Sequence, residues 1–104
     1  MKARSAKQLL EAHGLPLSAH SLYEGLRLAG LLVSVQYEST SATGEIKEFN
    51  QLLDEAQKNG KNKASGFHPV KTEIQFFDEM FLQVYLIACK ALHEDAQRRH
   101  SGLH

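Results

Sequence analysis

KNGKNKASGFHP, residues 58–69, is the stretch on which the organisation of the chain turns. Three lysines, two glycines and two asparagines fall within positions 58 to 66, a composition that suggests a phosphate-binding loop. The spacing argues otherwise. A nucleotide loop needs G-x-x-x-x-G-K-[ST] fed by a strand, and neither the motif nor a clear strand is present. Asn and Gly suit tight turns. The stretch is expected to be a solvated connector, with Lys58, Lys61 and Lys63 exposed.

Upstream of it, Val33, Val35 and Tyr37 alternate with Ser34, Gln36 and Glu38, which is strand patterning. Ser39 to Gly44 has turn composition, and Ile46–Leu52 returns as a second strand. The pair reads as a hairpin whose tip carries Thr40, Ser41 and Thr43. Leu52, Leu53 and Ala56 start a short helix that stops before Gly60. Further upstream, Ser5-Ala6-Lys7-Gln8 has capping-box form, so a helix is expected over Ala6–His13, stopped by Gly14. Leu15 precedes Pro16 and is kept out of helical geometry. Ser18 then caps a second helix with Leu22, Leu26 and Ala29 on one face, and Gly30 ends it.

Downstream, Val70, Thr72, Ile74 and Phe76 alternate with Lys71, Glu73 and Gln75, giving a third short strand. Asp78 is expected to cap the longest helix, Glu79–Arg98. Met80, Phe81, Val84, Ile87, Ala88, Ala91 and Leu92 form one stripe, and Leu82, Tyr85, Leu86 and Cys89 widen it beyond a single face. A helix apolar on more than one side packs against more than one surface. Phe81, Val84, Tyr85, Ile87, Ala88 and Leu92 are therefore expected at a homodimer interface.

The 104 residues suit one domain over 1–104, with 1–4 and 100–104 frayed. Lysine and arginine total 12, as do aspartate and glutamate, and neutrality argues against a large nucleic-acid footprint. The first thirty residues and the block 54–76 carry the basic excess. Cys89 is the only cysteine, which fits a reducing, cytoplasmic setting. No apolar run is long enough for a membrane span.

Catalytic and metal chemistry find little footing. The six histidines lack His-x3-His spacing or a carboxylate completing a tetrahedral site. There is no G-x-S-x-G elbow. Glu45 and Glu48, three apart in a strand, point to opposite faces. No catalytic residue, metal, cofactor or small-molecule substrate is expected, and the chain does not read as an enzyme.

Helix, glycine-containing turn, helix and hairpin form the order of a winged helix-turn-helix, here α+β with a long C-terminal helix. In such a domain the second helix reads DNA, with Ser18, His20, Ser21, Glu24 and Arg27 on its outer side. Lys47 of the wing would touch a neighbouring groove or phosphate, and Arg4 and Lys7 would position the backbone. The stretches STSATGEIKEF, NGKN, HPVKTE and FFDEMF resemble phage antirepressor C-terminal domains of the KilA type, over about Ser5–Leu86. The spacing Thr43-Gly44-x-Ile46-Lys47-x-Phe49 and the run Gly60-Lys61-Asn62 carry most of that resemblance. In that family the segment usually closes a longer protein, whereas here it is expected to stand alone. The resemblance implies a small DNA-binding regulator of phage or prophage type. The alternative is a protein-interaction module, dimeric or bound to a host factor, that keeps the winged fold without DNA.

Overall fold

A computed structural model describes residues 2–38, 44–64 and 71–101. The expected turn over 39–43, with Thr40, Ser41 and Thr43, and the stretch 65–70 with Gly66 lie outside the described residues. The chain is a mixed α+β fold. Its order is β1 (Ala3–Arg4), α1 (Ala6–Ala12), α2 (Ala19–Leu28), β2 (Leu32–Glu38), β3 (Ile46–Leu52), β4 (Gly60–Ala64), β5 (Thr72–Phe77) and α3 (Phe81–Ser101). Two 3-10 turns, Asp54–Ala56 and Asp78–Met80, precede β4 and α3.

Local chemistry sets the helix ends. Ser5 Oγ accepts from the Gln8 N–H, and the Gln8 side-chain oxygen accepts from the Ser5 N–H, both at 3.2 Å. This is the reciprocal capping box. Gly14 and Gly30 hold φ of 63° and 81°, a region other residues occupy only with strain. Their conformation turns the chain back, so that Leu15 donates to Leu10 O and Leu31 to Leu26 O, each at 3.0 Å.

The helices α2 and α3 cross closely because position 25 lacks a side chain. A Cβ at Gly25 would stand 2.6 Å from the Ala88 carbonyl oxygen. Leu22 and Leu26 flank Gly25 and are fully buried, whereas the expected Ala29 lies exposed. Leu9, Leu10, Leu32, Leu52, Ile74, Phe76, Phe81 and Val84 complete the core. Phe76 and Phe81 meet at 5.8 Å between ring centroids.

β2 and β3 form the expected antiparallel hairpin, in register from Leu32↔Leu52 to Glu38↔Ile46. Tyr37 meets Phe49 edge-on at 5.5 Å. The second sheet departs from the sequence reading. Its order is β1-β5-β4, all antiparallel. Residues expected as a solvated connector are thus strand β4. Gly60 fits because a Cβ there would collide with the Gln75 carbonyl oxygen and lie 3.0 Å from Phe76 Cα. Asn62 turns its amide to β3, accepting from Leu52 N–H (2.8 Å) and donating to Leu52 O (3.0 Å). The side chain thereby acts as a piece of strand backbone joining the two sheets. Lys61 and Lys63 remain exposed, Lys63 standing opposite Glu73.

Two further expectations are corrected. Residues 3 and 4 are not frayed but pair with Phe77 and Phe76. Asp78 does not cap the last helix, since its carboxylate takes the Arg4 guanidinium at 2.7 and 3.2 Å. That hydrogen bond, helped by the positive charge, holds the Asp78 carboxyl below its ordinary range.

Candidate functional site

The residues expected to meet DNA do not form one basic surface. Arg4 lies on β1 and is engaged by Asp78. Ser18 caps α2: its Oγ accepts from Ser21 N–H and donates to Ser21 Oγ, both at 3.1 Å. His20 and Lys7 are exposed. Arg27 pairs with Glu24 one turn earlier and also donates to Asn50 Oδ1 on β3 at 2.7 Å. That contact ties the second helix to the hairpin. Lys47 is exposed, while the neighbouring Glu48 accepts from Ser34 Oγ at 3.1 Å. Of the basic residues Arg4, Lys7, Arg27 and Lys47, Arg4 and Arg27 are thus paired with Asp78 and Glu24, while Lys7 and Lys47 are exposed.

The expected dimer surface needs correction. Phe81, Val84, Tyr85 and Ala88 are buried in the chain's own core, and Ile87 and Leu92 are half-buried. The large apolar side chains that α3 exposes are Leu82, 55% exposed, and Leu86, 59% exposed, one turn apart. Their spacing places them on one face. Burial and the adjacent Cys89 sulfur push the Tyr85 hydroxyl pKa upward.

A cavity of about 250 Å³ opens between α2, β3 and β5, lined by Ser5, Tyr23, Asn50, Thr72, Glu73 and Ile74. Burial, then the Glu73 carboxylate, raise the Tyr23 pKa, so the phenol stays protonated over the neutral range. Thr72 Oγ1 is buried and has no hydrogen-bond partner among the described residues. A second cavity, about 380 Å³, lies under the link between α1 and α2, floored by Leu10, Leu15 and Leu17 and rimmed by Lys7 and Glu11.

Sequence reasoning did not reach Tyr23, Asn50, Thr72 and Glu73, because they come together only when α2, β3 and β5 pack. Asn62 stood in a weighted motif, yet its partner, the Leu52 backbone, has no sequence signature. Among the described residues no three His, Cys, Asp or Glu side chains stand together as a metal set, and no helix is long and apolar enough to cross a membrane. No protein-family model, curated protein or solved structure matches the chain.

Proposed function

We propose that the chain is a protein-interaction module, and that its exposed α3 face pairs with a second copy of the chain. The observation that carries this reading is Leu82 and Leu86 on solvent, on a helix whose other side is the core. An isologous antiparallel contact about this turn sets Leu82 and Leu86 of one copy against the same residues of the other. The patch is small, so the pairing is weak. Sedimentation velocity at about 100 µM should show a dimer–monomer equilibrium. Leu82→Glu with Leu86→Glu should give a monomer that melts as the parent does. A parent that keeps its 11.6 kDa monomer mass at about 1 mM overturns the reading.

A second reading keeps the winged helix-turn-helix and the phage-type DNA-binding regulator. Exposed His20 at the first turn of α2, with the hairpin tied beside it through Arg27 and Asn50, favours it. Against it, Arg4 and Arg27 already bind acids, and six residues link the helices where a helix-turn-helix uses about three or four. Anisotropy of a labelled duplex decides between them. Three to five phosphate contacts give a slope of log K on log salt of about −3 to −4.5. No binding at about 50 mM salt removes the DNA reading.

A further inference from the structure

Among the described residues, β1 pairs with β5 only at its Phe76–Phe77 end. Asp78 N–H donates to Lys2 O at 2.9 Å, and Arg4 stands opposite Phe76. In an antiparallel ladder, backbone-bonded pairs alternate with unbonded ones. Pairs 2/78 and 4/76 are thus the bonded kind. The same alternation directs the N–H and C=O of Ile74 and Thr72 to that side. On the opposite side Phe77 N–H donates to Asn59 O at 2.9 Å, which turns Gln75 and Glu73 toward β4. Beyond Arg4 the chain leaves the sheet, because Ser5 caps α1. Among the described residues no strand pairs with Thr72–Ile74 on this side. The cavity of about 250 Å³ opens at this place, with Ser5 at one end and Thr72, Glu73 and Ile74 along its side.

We propose that the free edge of β5 at Thr72–Ile74 takes up an extended peptide segment as an added strand, with a basic residue set beside Glu73. Three observations fix the partner's chemistry. The backbone groups of Thr72 and Ile74, paired by no strand among the described residues on this side, call for an extended main chain, the mode of β-strand addition. Glu73 is exposed, and Lys63 stands across from it on β4. A lysine or arginine on the added strand supplies the matching pair on the other side. The Thr72 hydroxyl, without a partner among the described residues, and the Tyr23 and Asn50 walls suit a small polar side chain at the neighbouring inward position. The existing β1–β5 pairing sets the line the segment continues. This site is separate from the α3 face and does not depend on dimer formation.

The test uses the full chain carrying Leu82→Glu and Leu86→Glu, so that loss of α3 pairing cannot be mistaken for loss of this site. In the free protein, the Thr72 and Ile74 amides should exchange with deuterium at least about tenfold faster than those of Glu73 and Gln75. The probes are end-blocked pentapeptides alternating threonine and valine, with lysine or glutamate at the centre. Titration of the lysine peptide should shift and protect the Thr72 and Ile74 amides in NMR spectra. The glutamate peptide should bind about two- to fivefold more weakly, and Glu73→Gln should erase that difference while binding persists. Slow exchange at Thr72 and Ile74 before any peptide is added overturns the proposal, because the edge is then already covered. So do unshifted amides at millimolar lysine peptide, or binding with no charge preference that leaves these two amides unchanged.

Discussion

The hairpin β2–β3 and the sheet β1-β5-β4 are both antiparallel, but they are held by different means. The hairpin follows side-chain alternation: Val35, Tyr37 and Phe49 gather on one face, and Leu32 and Leu52 anchor its base in the core. In the other sheet, β4 reads Gly-Lys-Asn-Lys-Ala and has no large apolar side chain. Its place is fixed by an absent Cβ at Gly60, by the Asn62 amide on the Leu52 backbone, and by pairing to β5. One sheet is specified by what its residues bury. The other is specified by what fits and what is hydrogen-bonded.

If that contrast is right, the largest effect comes from filling position 60. Gly60→Val should destabilise the chain by about 3 kcal/mol, since the colliding atoms are backbone and cannot rotate away. Thermal unfolding should show a fall of about 12–24 °C at this chain size. A loss under about 1 kcal/mol would mean that β4 is not held this closely.

Next in size is Asn62→Leu. It leaves the part-buried Leu52 N–H and C=O without their partner, a cost of about 1–3 kcal/mol. Asn62→Asp sharpens the point. The aspartate can still accept from Leu52 N–H but cannot donate to Leu52 O, so urea denaturation should place it below the parent.

Arg4→Met tests the attachment of β1, and its effect depends on pH. The Asp78 carboxyl is held low mainly by its hydrogen bond from Arg4. A depressed carboxylate contributes stability above its unfolded pKa and loses it as pH falls through the folded value. The gap between parent and Arg4→Met should therefore be full at neutral pH and close below about pH 4. A gap independent of pH would assign Arg4 a packing role only.

The smallest effect is expected from Lys58→Gln, Lys61→Gln and Lys63→Gln together. These side chains are exposed, and each contributes about 0–1 kcal/mol at most. A melting temperature that falls as far as that of Asn62→Leu would show that β4 depends on its charges rather than on Gly60 and Asn62.

Periodicity and end signals made most elements legible in advance. Ser5, Gly14, Ser18 and Gly30 act within a turn of their own position, so their roles follow from neighbours in the chain. The alternation of β2 and β5 and the stripe on α3 are likewise local. The site was far less legible. Arg4 and Arg27 looked like free cations, but Asp78 lies 74 positions from one and Asn50 lies 23 from the other. Phe81, Val84, Tyr85 and Ala88 looked like an interface because periodicity shows which side of a helix is apolar and not what covers it.

The sequence by itself determined the three helices, the hairpin and the strand β5, because propensity, capping and period act over a few residues. The tertiary structure decided that β4 is a strand, that Gly25 and Gly60 are contact points, and that Asn62 reaches the Leu52 backbone. Each of these depends on which distant backbone lies within about 3–5 Å, a distance that chain folding sets and residue type alone does not encode.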